Sequence, residues 1–206
     1  MRYNDFASRW LTTQTSLINF TVFMSTEITS NNPVVKAILA GTAPPQACLA
    51  AARGMLPIPQ IDLLEALVFL TGASDAEIAG TANKTLASQQ TDTLVGFLES
   101  DQISPSVLDF FAAKPNVSEP VYSAIIRNPR TPDIAIAKFA RHTQNGPLLE
   151  LITFNQQRLI RTPAIIDAIL NNSFRTIEAD RKATETRREF FEKERGAQQV
   201  ANEFRA

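Results

Sequence analysis

One histidine, one cysteine and a scatter of carboxylates are the groups from which this chain could build a reaction. A histidine that serves as general base or metal ligand needs a carboxylate, a thiol or a second imidazole beside it. His142 has Arg141 and Thr143 as neighbours and a polar turn running to Gly146, so it is expected as a solvated residue at a helix C-terminus, where the last carbonyls favour a donor. Cys48 lies in Gln-Ala-Cys-Leu-Ala with no basic neighbour to favour a thiolate, and is expected as a small buried residue. Asp62 and Glu65 stand three apart and could share a helix face, the nearest approach to an acid pair, yet such pairs are ordinarily solvated. The chain has no Gly-rich phosphate loop, no His-Glu-x-x-His helix, no Gly-x-Ser-x-Gly elbow and no Cys-x-x-Cys. The expectation is therefore a protein that is not an enzyme and uses no cofactor or metal.

The polar residues that do form a pattern are arginines and amides. Residues 57–110 hold eight acids and one base, a net of −7, whereas residues 111–174 hold seven bases and four acids, a net of +3. Clustered like charge carries a field about a Debye length into solution. Arg127, Arg130, Arg141, Arg158 and Arg161 are accordingly expected to face the acidic surface of a partner protein, because a planar guanidinium engages a carboxylate through two bonds. Gln156 and Gln157 join them. Three consecutive amides, Asn155 to Gln157, precede Arg158, and they either bond a partner's backbone or satisfy the ends of adjacent helices. Nucleic acid is the weaker partner for the basic half 111–174: the whole chain carries a net charge of −1, and exposed aromatics do not interleave the bases.

The elements that position these residues are read from punctuation. Ser104-Pro105, Thr131-Pro132 and Thr162-Pro163 each precede about ten residues with apolar side chains at helical spacing, at intervals of 27 and 31 residues. Repetition on that scale points to stacked helical units. Asn32-Pro33 opens an earlier helix that Gly41 closes, and Thr42 to Gly54 repeats the device. Pro57 to Gly72 carries Ile61, Leu64, Leu67, Val68 and Leu70 as a broad buried face. Ser74 and Glu77 form a capping box ahead of Ile78, Ala82 and Leu86. Ser118 precedes Val121, Tyr122, Ile125 and Ile126, and Leu148 to Ile160 forms one further segment. Seven glycines and little period-two alternation leave no expectation of a sheet.

Leu64, Leu67 and Leu70, a Gly-Ala-Ser-Asp turn, then Ile78, Ala82 and Leu86 resemble a HEAT-type helical hairpin, with Ala76 and Ala79 where that family usually has Pro and Arg. Arg127-Asn-Pro-Arg-Thr-Pro132 followed by Ile136 and Phe139 resembles the leucine-rich-repeat-variant type of helical repeat. Together the resemblances span roughly residues 57–174 and imply stacking and partner binding, with no shared reaction. The expected fold is all-α: a right-handed α-solenoid of four or five short helical hairpins over residues 32–174, ending in a charged C-terminal helix over 175–206. That last segment holds 8 Lys+Arg and 7 Asp+Glu, pairs charges such as Glu185 with Arg188 and Glu189 with Lys193, and is a candidate surface for a homodimer. Residues 1–31 are expected as an N-terminal extension, disordered or not native, with 1–23 an upstream arm. The competing reading of that arm is an amphipathic helix presenting Phe6, Trp10, Leu17 and Phe20. Its start matches a signal peptide poorly, no run of about 18 apolar residues spans a membrane, and a lone cysteine fits a reducing compartment, so the expected location is cytoplasmic.

Overall fold

A computed structural model describes residues 30–192, and the expectations placed on residues 1–29 and 193–206 lie outside the described residues. The described residues are all-α, with twelve helices and no strand. In chain order the helices are α1 (Pro33–Leu39), α2 (Pro45–Ala52), α3 (Gln60–Leu70), α4 (Ala76–Ala87), α5 (Thr91–Leu98) and α6 (Pro105–Ala113). They continue as α7 (Glu119–Arg127), α8 (Asp133–His142), α9 (Gly146–Thr153), α10 (Gln156–Arg161), α11 (Pro163–Leu170) and α12 (Ile177–Thr186), after which a π-helical turn covers Arg187–Glu192.

Helices this short are marginal on their own, so tertiary packing must hold them. The packing partner is regularly two helices along: α5 with α7, α6 with α8, α7 with α9. Past the six-residue α10, α8 packs on α11 and α9 on α12. The buried side chains form two clusters, one from Val35 to Ala135 and one from Ile126 to Ala183, with Tyr122 packed against both. Leu98, Leu108, Ile125, Ile136, Leu149 and Ile165 are fully buried, and burial of each contributes about 1.5–3 kcal/mol.

Helix starts follow the proline signals, but the capping chemistry differs from the expected one. Asn32 accepts the Val34 amide as anticipated, and Gly41 and Gly54 close α1 and α2 in the left-handed region at φ 69° and 71°. The cap of α4 is Asp75 in place of Ser74, its carboxylate accepting from the amides of Glu77 and Ile78. Ser104 and Thr162 occupy N-cap positions without capping their helices, and Thr131 lies outside α8 altogether, whose N-cap is Pro132. Proline alone starts these helices, because it fixes φ and has no amide to satisfy. The freed hydroxyls bond across the fold: Thr131 donates to the Ile125 carbonyl and Thr162 to Asp133.

Two further features depart from the expected layout, and the charged C-terminal helix is present as expected. Helix α5 was not foreseen. The segment Leu148 to Ile160 is two helices, broken at Phe154-Asn155, with Asn155 capping α10 through the Arg158 amide. The C-terminal helix buries Ala179 and Ala183 against the preceding helices and pairs its charges as Arg181 with Glu178 and Glu185, Lys182 with Glu178, and Arg187 with Asp167 of α11.

Buried or partly buried polar side chains tie three places in the fold to helix ends about thirty residues earlier. Asn128, 3% exposed, donates to the Leu98 and Ser100 carbonyls and accepts the Arg130 amide. Asn172 does the same for Ala140 and Thr143, accepting from Phe174. Thr85 donates to the Ala52 carbonyl. Each answers carbonyls that a helix C-terminus leaves without an internal partner.

Candidate functional site

The seven residues expected to meet a partner do not share one surface. Arg158 is interior. Its side chain is 3% exposed, and its guanidinium donates to the carbonyls of Ile126, Asn128, Pro129 and Thr131, closing the α7 C-terminus. Nε stands 3.2 Å from a carboxylate oxygen of Asp133 but is not aligned to donate to it. The expectation that Arg158 faces a partner is therefore corrected: the residue is a crossbar between helices. A buried guanidinium survives there because four carbonyl dipoles and one carboxylate replace its water.

Arg161, on the exposed side of the same carboxylate, forms a two-bond pair with Asp133, Nε and Nη2 each at 2.7 Å. Burial raises Asp133, but the bonds from Arg161 and Thr162 and the charges of Arg161 and Arg158 outweigh it and hold the carboxyl below its ordinary value. In Arg158 burial disfavours the cation, Asp133 favours it, and the net displacement is downward. Arg130 donates to the Asp101 carbonyl at 2.8 Å. Arg141 is exposed in the last turn of α8, beside the exposed His142.

The remaining three residues do converge. Arg127, at the end of α7, and Gln156 and Gln157, at the start of α10, line one open groove of about 630 Å³ with Ile126, Leu151, Phe154 and Asn155. The helix break places them: α9 ends at Thr153, and Asn155 starts α10, so the two glutamines project from its first turn. All three side chains are exposed, and among the described residues none is held by a hydrogen bond or an ion pair. Phe154 is 66% exposed in the wall of the groove. The Lys182 ammonium of α12 stands 3.7 Å from its ring centroid, where the quadrupole of the ring attracts a cation. Beyond Phe154 a smaller recess is lined by Lys182, Glu185 and Glu189.

A second groove, about 940 Å³, runs between the α6–α7 turn and the α8–α9 turn and carries Lys114, Lys138 and His142. Several of its polar groups are engaged within the fold. The Tyr122 hydroxyl donates to the Lys114 carbonyl and accepts the Val117 amide, Asn145 donates to Glu119, and Lys114 stands over Phe110.

The groups considered first for chemistry are dispersed. Glu65 is buried at 3% exposure and accepts the Ser30 amide, which separates its task from that of Asp62. Cys48 is half-buried, and burial pushes its thiol up from the ordinary value. No group of three metal-binding side chains occurs among the described residues, and no described helix is long and apolar enough to cross a membrane.

Fold and site together define an all-helical protein with an open, partly aromatic surface groove. Comparison with protein-family models, with curated proteins and with solved structures found no match.

Sequence reasoning missed Phe154. Its signal was present: Leu148, Leu149 and Ile152 set the buried face of α9, and a residue two beyond Ile152 lies about 200° round the helix from it.

Proposed function

We propose that this chain is a non-enzymatic protein–protein interaction module, an adaptor or assembly factor of the cytoplasm built as a HEAT-like helical repeat. The packing of helices two along and the crossbars at about thirty-residue spacing support the repeat reading. The observation that carries the functional reading is the groove where Arg127, Gln156 and Gln157 meet an exposed Phe154. Free donors around a solvated aromatic ring are the ingredients of an interface hot spot.

The nucleic-acid alternative loses ground on the same geometry. Of the bases in residues 111–174, Arg158 is interior and Arg161 is paired with Asp133. Fewer free cations mean fewer phosphate contacts. A homodimer through the C-terminal helix would use the outer face of α12, where Ile177 is 91% exposed, and light scattering at rising concentration would show it as a mass above that of one chain.

Affinity purification of the tagged protein from its native lysate, with nuclease, tests the main reading. A stoichiometric protein should be retained, and should be lost from a Gln156→Ala, Gln157→Ala variant whose melting temperature is unchanged. Retention by that variant, or loss of the partner only with nuclease, would count against it.

A further inference from the structure

We infer that the groove between α7 and α10 receives a short linear segment that pairs a large apolar side chain with a nearby carboxylate. The inference rests on the reading of this groove as a partner site and adds what the partner must look like. Phe154, Leu151 and Ile126 form the apolar part of the lining. Lys182 occupies a position over the Phe154 ring from the α12 side, so the aromatic surface still available is the part that faces the groove. An aliphatic or aromatic side chain packed there removes apolar surface from water on both partners.

The charge in the groove sets the second half of the signature. Arg127 is the one charged side chain of the lining, and it pairs with no described carboxylate, in contrast to Arg161 on Asp133. An unpaired guanidinium beside an apolar wall selects a carboxylate, bound through two parallel bonds. A basic segment would be repelled by Arg127. The carboxamides of Gln156 and Gln157 offer both donors and acceptors to the main chain of such a segment, without regard to its side chains. Apolar anchor, acid and backbone amides thus answer three parts of one extended peptide.

The test is selection of a phage-displayed random peptide library on the immobilised full chain. It is followed by fluorescence anisotropy of the enriched peptides against the wild type, Phe154→Ser and Arg127→Glu. Both substituted residues are exposed, so both variants should keep the wild-type melting curve. Enrichment of peptides with Asp or Glu within a few residues of a large apolar residue, weakened about tenfold or more by each variant, supports the inference. Arg127→Glu should in turn select basic peptides that keep the apolar residue. Peptides that bind through the groove without the acidic–apolar pair overturn this partner chemistry and leave the interaction reading standing. If no enriched peptide is weakened by either variant, the interaction reading fails with it. A pool that reproduces residues 1–29 or 193–206 assigns the groove to the chain itself and overturns a separate partner.

Discussion

Replacing Arg158 by alanine should be among the most damaging single substitutions in the chain, although arginine is the residue type most readily assigned to a surface. The side chain is 3% exposed and serves the carbonyls of Ile126, Asn128, Pro129 and Thr131, with Asp133 beside it. Truncation leaves those carbonyls facing a cavity and removes one of the two cations that hold Asp133 ionised. Removing one partner of a buried charged set costs about 3–5 kcal/mol. Asp133 keeps Arg161 and Thr162, which favours the lower end of that range. For a domain of this size about 3 kcal/mol lowers the melting temperature by roughly 10 °C. Arg158→Lys should recover little, because an ammonium cannot reproduce the planar fork that spans several carbonyls. Urea titration and thermal melting by circular dichroism give both quantities, with Arg127→Ala as the exposed control, expected within about 0.5 kcal/mol of wild type. Equal small losses for Arg158→Ala and Arg127→Ala would refute the crossbar reasoning and return Arg158 to the surface.

The other predictions concern the same scaffold. Asn128→Ala and Asn172→Ala should each cost about 2–3 kcal/mol in urea titration, since each strands two carbonyls and one amide. Asn128→Asp should be worse than Asn128→Ala, because a carboxylate would face the Leu98 and Ser100 carbonyls in place of a donor. Gly146→Ala should destabilise by about 1–3 kcal/mol and weaken the packing of α9 on α12: its Cβ would stand 2.7 Å from the Phe174 carbonyl oxygen and 3.0 Å from the Thr176 methyl. Asp133 has its pKa depressed in the fold, so its contribution is present above its unfolded value and lost as pH falls through the folded one. Asp133→Asn should thus be less stable than wild type at neutral pH, and the gap in melting temperature should close as pH drops below about 4.

The helical class was legible because its signals are local. Pro33, Pro105 and Pro163 at N1, Asn32 as a cap, Gly41 and Gly54 in the left-handed region and apolar residues three and four apart act within a single turn, and each stands where it was read. What failed were inferences that assigned a polar side chain to its own helix. Ser74, Thr131 and Thr162 look like caps in one dimension. Asp75 does the work at α4, while Thr131 and Thr162 bond to groups six and twenty-nine residues away. Helix α5 escaped notice because its cap position, Gln90, carries no side-chain bond and no proline, so nothing punctuates its start.

The site was legible in part for a related reason. Charge counting singles out residues 111–174 as basic, but a count cannot distinguish a guanidinium that closes a helix from one left free at the surface. Arg158 and Arg127 differ in nothing that neighbouring residues reveal. The difference lies about thirty residues away, in the carbonyls at the end of α7. That interval matches the spacing of the Ser/Thr-Pro helix starts, and Asn128 and Asn172 use nearly the same one toward Leu98 and Ala140. A polar residue about thirty residues after a helix C-terminus is thus a candidate crossbar as well as a candidate contact. In this chain Arg158 takes the first role, whereas Arg127, Gln156 and Gln157, at similar intervals from the α5 and α7 C-termini, stay exposed and line the groove with Phe154.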